Sequence, residues 1–322
     1  MTPVISVVMS VYNGERDLET SLASILAQTS VDLELVAVND GSIDASGEVL
    51  NAWAARDPRL RVVHQDNRGL TRALRRGCAM ARGEFIARQD SDDVSLPSRL
   101  QKQLECLRDH RTAVLVSCWT RFIGPTDEEL FVIRRHEGPL EARRLLRATA
   151  VDRVQGIAGH GSAMFRRADY ERVGGYHEEF WVAQDLDLWL RLTDRADAGV
   201  HFVLEILYEA RFTPASLSMG HHQEQLALAR IALDLAAVRE GRGDESRLLA
   251  EAADIRRPVA RANRAGAAGY YFMGRCLLTQ GDQRARGYLL EAIRREPLHW
   301  RAWVGMLWAL LLSLAPRKQP RA

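Results

Sequence analysis

At 322 residues the chain is long enough for one large α/β domain and a smaller one, with core to spare. Charged residues make up 27% of it and the formal net charge is only +2, so no global basic field favours nucleic acid, and any anion site has to be local. The four cysteines, Cys78, Cys106, Cys118 and Cys276, stand far apart with no CxxC pair; they read as free thiols of core segments rather than disulfides or zinc ligands, which fits a reducing cytoplasm.

Met1-Thr2-Pro3 leads directly into the β-branched run Val4 to Ser10, without the basic and apolar regions of a signal peptide, so a cytoplasmic location is expected. That run reads as a buried strand, and Tyr12-Asn13-Gly14 breaks it before a helix from about Glu15 to Gln28. Leu33 to Val38 repeats the pattern and ends in Asn39-Asp40-Gly41-Ser42. A helix over Ser46 to Arg56, a strand over Leu60 to His64, a helix over Leu70 to Ala81 and a strand opening at Phe85 follow. Strands alternating with helices of this length call for right-handed crossovers. The expected fold class is therefore α/β: a Rossmann-like, mostly parallel sheet with helices on both faces. The usual phosphate loops are missing, since no GxGxxG follows the first strand and no GxxxxGK[ST] occurs, which disfavours dinucleotide and P-loop enzymes. HExxH and GxSxG are absent too, so nothing points to a zinc protease or a serine hydrolase.

The fourth strand delivers acid to a ledge. Phe85-Ile86-Ala87-Arg88-Gln89 runs into Asp90-Ser91-Asp92-Asp93, three carboxylates within four residues, at the strand end where ligands of open α/β sheets bind. A divalent cation relieves their repulsion most simply, and hard oxygen ligands select Mg2+ or Mn2+. The plain alternative is an acidic N-cap for a helix opened by Pro97. After a further strand, Ala113 to Trp119, the alternation becomes irregular, through Gly159-His160-Gly161, Val173-Gly174-Gly175-Tyr176 and Gln184-Asp185-Leu186-Asp187-Leu188-Trp189-Leu190-Arg191. The last reads as a helix start, with Asp185 near exposed amides and Leu186, Trp189 and Leu190 on one buried face.

From about His221 the chain is almost wholly helical, so the expected division is an α/β domain over residues 1–220 and an all-α region over 221–322. Tyr270 to Trp300, with its Gly281-Asp282 turn, resembles one tetratricopeptide-type hairpin, which cannot bury its own face; it either caps the enzyme's own domain or belongs to a partner-binding array. Trp303 to Ala315 is strongly apolar and is followed by Arg317, Lys318 and Arg321, as in a core or self-association helix or in an interfacial helix on an anionic membrane. No segment reaches the ~20 apolar residues that span a bilayer.

Four motifs occur in order: Val7-Val8-Met9-Ser10-Val11-Tyr12-Asn13-Gly14, Val38-Asn39-Asp40-Gly41-Ser42, Ala87-Arg88-Gln89-Asp90-Ser91-Asp92-Asp93 and Gln184 to Arg191. Together, over about Pro3 to Arg191, they resemble the family 2 glycosyltransferases with the GT-A fold. The resemblance implies an inverting enzyme that uses Mn2+ or Mg2+ to move a sugar from a nucleotide-sugar, a UDP-sugar by expectation. The acceptor is a hydroxyl of a glycan or lipid-linked precursor. It places the nucleotide-sugar at Val11, Tyr12, Asn13, Glu15, Asp40, Arg88, Asp90 and Ser91, with Asp40 on the uracil imide and Asp90 on the ribose; an Asp-Gly turn is the plain alternative for Asp40. Asp92 becomes a metal ligand, with His222 offered as a third ligand. Asp185 becomes the base that takes the acceptor proton. His160, Gly161, Trp181 and Gln184 fall in the sugar and acceptor region. Two positions depart from the family pattern: Gln184 stands where Glu usually precedes the base, and Arg75 where relatives commonly carry Asn. A nucleotidyltransferase on a similar sheet and a non-catalytic scaffold using the helical tail are the rival expectations.

Overall fold

Alternation along the first strand, β1 (Ile5–Val11), sorts its side chains between two cores: Ile5, Val7, Met9 and Val11 enter one, and Val8 the other. The computed structural model describes residues 2–147, 159–214, 221–255 and 266–314. In chain order β1 is followed by α1 (Glu15–Leu26), β2 (Leu33–Asp40), α2 (Ser46–Ala54), β3 (Leu60–Gln65), α3 (Leu70–Met80) and β4 (Phe85–Asp90). These strands pair in parallel in the order β3-β2-β1-β4, with Ile5 opposite both Leu33 and Phe85. Every residue of β2 is buried, as a strand covered on both faces requires.

Beyond β4 come β5 (Val94–Ser95), α4 (Arg99–Asp109), β6 (Ala113–Ile123), β7 (Glu129–Ile133), α5 (Pro139–Arg147), β8 (Met164–Arg166), α6 (Arg167–Arg172), α7 (Gln184–Leu192) and β9 (Gly199–Arg211). The nine-stranded sheet continues β4-β8-β6-β9-β5, with antiparallel pairs at β4–β8, β6–β8 and β5–β9, so it is parallel in one half and largely antiparallel in the other. Leu18, Leu22 and Ile25 of α1 and Leu100, Leu104 and Leu107 of α4 cover one face; Leu74 and Cys78 of α3 and Leu186, Trp189 and Leu190 of α7 cover the other. A short strand and a left-handed Ser98 separate the Asp90–Asp93 cluster from α4, so these acids do not cap that helix.

The described residues fall into two compact units. One draws on Met1–Arg121, Ile133–Ala210 and Gln223–Arg257, the other on Phe122–Val132, Arg211–His222 and Pro258–Ala322. The first unit therefore takes in helices on the far side of residue 220, namely most of α8 (His222–Glu240) and α9 (Ser246–Asp254), because Leu228, Ile231, Leu235 and Ala252 bury into the same core as α7. In the second unit α10 (Ala267–Thr279) and α11 (Ala285–Arg295) form a hairpin whose turn includes Gly281 at φ 72°, and α12 (Trp300–Leu314) follows. Ala302 and Ala309 of α12 are buried, and Gly305 lies against Leu289 of α11, whereas Trp300, Trp303, Val304, Leu307, Trp308, Leu310 and Leu311 are exposed. Ala315, Arg317, Lys318 and Arg321 lie outside the described residues.

Candidate active site

Arg88 organises the ledge. It sits on β4 with no exposed surface, which obliges its guanidinium to find partners. Nη1 donates to the carbonyls of Val8 (2.7 Å) and Gln89 (3.0 Å), Nη2 to Asp90 Oδ1 (2.5 Å), and Nε to His160 Nε2 (3.2 Å). A guanidinium only donates, so His160 Nε2 is the acceptor and the imidazole carries its proton on Nδ1. Burial, followed by the charge of Arg88, holds His160 well below the usual imidazole range, so it is neutral. Its Nε2 also lies 2.8 Å from the Tyr176 hydroxyl.

A second buried arginine holds the first. Arg99 opens α4 with no exposed surface, donates to the carbonyls of Gly161 (3.0 Å) and Arg88 (2.9 Å), and lies over the ring of Tyr208. Tyr208 in turn accepts from the amide of Asp90 (3.2 Å). A Cβ on Gly161 would stand 2.8 Å from Asp90 Oδ2, so the bare backbone is what lets this loop approach the acid.

Asp185 occupies the first turn of α7 and its Oδ1 accepts from the Leu186 amide (2.9 Å). Burial raises its pKa above the ordinary carboxylate value; neighbouring amides oppose this, the charge of Asp90 adds to it and that of Arg88 opposes it. His160, which accepts from Arg88, has its ring 6.1 Å from that of Trp189, one turn beyond Asp185 on α7, so this helix meets the ledge although Asp185 is 95 residues from Asp90 in sequence. Asp187 is a different kind of acid. It is fully buried, with Oδ2 2.6 Å from Arg191 Nη2 and 3.2 Å from His177 Nδ1. Burial opposes its ionisation, but the close approach of His177 and the charge of Arg191 hold its pKa below the usual range. It locks the helix and is not available as a base.

The loops that follow β1 and β2 are laced together by reciprocal hydrogen bonds. Asn13, at φ 52°, accepts from the Ile43 amide (2.9 Å), and its own amide donates to Ser42 Oγ (3.0 Å). Glu15 Oε2 accepts from Ala45 N (2.8 Å) while its amide donates to Asp44 (3.1 Å). Tyr12 is left 48% exposed above this platform, Val11 is buried beneath it, and a Cβ on Gly14 would touch Ser91 Oγ at 3.3 Å. Asp40 is 2% exposed, and its carboxylate accepts from Gln65 Nε2 (2.6 Å) and from the amides of Arg68 (2.8 Å) and Gly69 (2.8 Å). Three of the roughly four acceptor positions of a carboxylate are thus filled by its own chain, and the residue clamps the loop that enters α3.

Asp92 lies in the turn between β4 and β5, partly exposed beside Asp90. These hard oxygen donors fit Mg2+ or Mn2+, ions commonly held by one or two carboxylates and completed by water and substrate phosphates. Among the described residues, three ligand atoms of His, Cys, Asp or Glu gather within 4.8 Å only at Cys106, His110 and His201, so a cation held at Asp92 would need further ligands from substrate or water. His222 is the exposed first residue of α8. Trp181 donates its indole N–H to Ile255 O (2.9 Å), and Gln184 is buried at the start of α7. Tyr176, Tyr208 and Arg99 carry no motif in the sequence. The pair Gly174-Gly175, at φ 81° and 71°, is the one local signal of the sharp turn that presents Tyr176.

A parallel strand quartet ending in an acid ledge, continued by antiparallel strands and faced by a helix-borne aspartate, is the GT-A glycosyltransferase fold. The profile of Glycosyl transferase family 2 matches residues 6–174, and the chain belongs to that family. EpsE of Bacillus subtilis (strain 168) is 31% identical over 216 residues, covering 65% of this chain and 73% of that protein. Chondroitin synthase of Pasteurella multocida (strain Pm70) is 27% identical over 192 residues, or 60% of this chain but only 19% of the synthase. Two solved structures share the fold at low identity. S. aureus TarS 1–349 in complex with UDP has a TM-score of 0.56 at 16% identity, covering 96% of this chain and 90% of that one. The mannosyltransferase PcManGT of Pyrobaculum calidifontis, in complex with GDP-Man and Mn2+, has 0.56 at 20%, covering 98% and 87%.

Proposed function

We propose that this chain transfers a sugar, with inversion, from a UDP-sugar to a hydroxyl of a glycan or lipid-linked acceptor in surface polysaccharide synthesis. The observation that supports the proposal is the contact between the ledge and α7: His160 accepts from Arg88, and its ring lies 6.1 Å from that of Trp189, one turn beyond Asp185, whose pKa burial raises. Asp185 takes the acceptor O–H proton as that oxygen bonds to the anomeric carbon, and the carbon–phosphate oxygen bond breaks with its electron pair leaving on the nucleoside diphosphate. A single displacement of this kind inverts the anomeric centre. Asp90, held by Arg88, faces the ribose; Tyr12 stacks the base; Asp40 shapes the base end through the loop it clamps. Mn2+ or Mg2+ at Asp92, when bound, neutralises charge on the departing diphosphate.

The UDP complex of TarS supports the choice of nucleotide, and the GDP-Man complex of PcManGT names the competitor. Thermal shift with a panel of UDP- and GDP-sugars, with and without Mn2+, tests it, because a ligand selective for the native state raises stability with its affinity. Stabilisation by UDP-sugars that depends on Mn2+ is expected, and stabilisation by GDP-sugars alone overturns the uridine reading. Release of UDP rather than pyrophosphate separates transfer from nucleotidyl transfer.

The exposed face of α12 supports docking on an anionic membrane, with the chain otherwise cytoplasmic. Residues 300–322 contain three tryptophans and the cations Arg301, Arg317, Lys318 and Arg321, with no acidic residue. Fifteen helical residues span ~22 Å, too short for a ~30 Å hydrocarbon core, so such docking would be interfacial.

A further inference from the structure

Arg75, the departure for which the catalytic reading has no use, belongs to a cleft of about 1180 Å³ between the end of β3, the outward face of α3 and Glu178. Arg72, Arg75 and Arg76 share one face of α3 opposite its buried Leu74 and Cys78, and Arg68 precedes them at the helix entrance. Four guanidinium groups thus face one space against two carboxylates, Asp66 and Glu178.

The internal pairing leaves them under-compensated. Arg72 Nε is 2.8 Å from Glu178 and Arg75 Nε is 3.5 Å from the same carboxylate. Among the described residues Arg76 has only neutral partners, Gln65 Oε1 at 3.0 Å and the His64 carbonyl at 3.4 Å. The Arg68 guanidinium makes no hydrogen bond or ion pair among the described residues. Crowded like charges of this kind are relieved by a multivalent oxyanion, whose geometry the planar guanidinium fork matches in pairs.

The cleft is joined to the acceptor side of the site. Arg75 Nη1 donates to the Tyr176 carbonyl (2.7 Å), the Tyr176 hydroxyl meets His160, and Thr71 Oγ1 of the same helix donates to the Phe180 carbonyl (2.7 Å). Residues 176–180 lead straight into the helix that carries Asp185. None of the hydrogen bonds or ion pairs of the Arg72, Arg75 and Arg76 side chains goes to Asp90, Asp92 or Asp185.

We propose that this arginine cleft binds a phosphate or diphosphate group of the acceptor, so that donor and acceptor phosphates are held at separate places. The inference rests on the glycosyltransferase reading above and names the class of its acceptor. Inorganic pyrophosphate is the probe, titrated calorimetrically into the full chain in EDTA so that no cation recruits it to Asp92. Binding is expected to weaken at least tenfold in Arg72→Gln/Arg76→Gln, whose side chains are exposed, and to persist in Asp92→Asn. UDP affinity in Mn2+ should be unchanged in the double variant. Sedimentation with vesicles of phosphatidylcholine containing phosphatidic acid, in a Leu307→Glu/Trp308→Glu background that removes the α12 contact, identifies the source. Loss in the arginine double variant marks a lipid-borne phosphate, and no change with pyrophosphate binding still arginine-dependent marks a soluble one; either supports the proposal. Wild-type pyrophosphate affinity in the double variant, loss of it in Asp92→Asn, or no binding at millimolar pyrophosphate overturns it. Failure of the donor reading shows differently, as absent UDP binding in the wild type.

Discussion

Replacing Arg88 by Met removes the group on which both halves of the site converge. The fully buried guanidinium makes hydrogen bonds to two carbonyls and to His160 as well as an ion pair with Asp90. Asp90 is 36% exposed and water can take over its charge, so the cost comes chiefly from the buried carbonyls left without this donor, about 1–3 kcal/mol out of the roughly 5–15 kcal/mol that holds a domain together. The charge of Arg88 now opposes the raising of Asp185 by burial and by Asp90; without it the pKa of Asp185 rises further. A base works when ionised. The acid limb of the kcat profile should therefore move to higher pH in Arg88→Met, while Arg88→Lys keeps the charge, loses the fork and moves less. Urea unfolding measures the stability, and initial-rate UDP release across pH measures the limb. Arg88→Met within about 1 kcal/mol of wild type, with an unmoved acid limb, would refute the role of Arg88 as the shared counter-charge.

Asp187→Asn should destabilise by about 3–5 kcal/mol in thermal or urea unfolding, because it breaks the buried pair with Arg191. Its depressed pKa means that its stabilisation is present above the unfolded carboxylate value and is lost as pH falls through the folded one; the variant's deficit should shrink in strong acid. Chelation by EDTA should weaken UDP binding in calorimetry, and metal-independent affinity would remove Asp92 from its place on the cation. Leu307→Glu/Trp308→Glu should abolish sedimentation with vesicles rich in phosphatidylglycerol. Both side chains are more than half exposed, so the fold should survive, and unchanged sedimentation would remove α12 from the membrane.

What the sequence revealed are features set by strand ends. The apolar runs of β1 and β2 are buried throughout or nearly so, and the residues at or just past their ends, Asp40 and Asn13, take the clamp and turn roles described above. Legibility fails where a partner comes from far along the chain. Tyr208 reaches the Asp90 amide from β9, a strand whose intermediate burial on many positions blurs any alternation. Arg99 looks like a solvated helix residue until the sheet closes over it. Asp40 shows a different limit: its identity suits a nucleobase acceptor, yet three donors of its own chain occupy it, and no motif encodes that. The helices α8 and α9 read as tail by composition, and only their contacts assign them to the first unit.

The most direct test is Asp185→Asn, assayed for sugar transfer and for UDP binding on the same preparation. Because burial raises this carboxylate, ionising it costs the folded state some stability above the ordinary carboxylate range, so the amide should not lower the melting temperature near neutral pH. Transfer should fall by about 10²–10⁴-fold with UDP affinity unchanged. Substantial turnover in that variant would contradict the assignment of the base, and with it the claim that the ledge and α7 form one catalytic site.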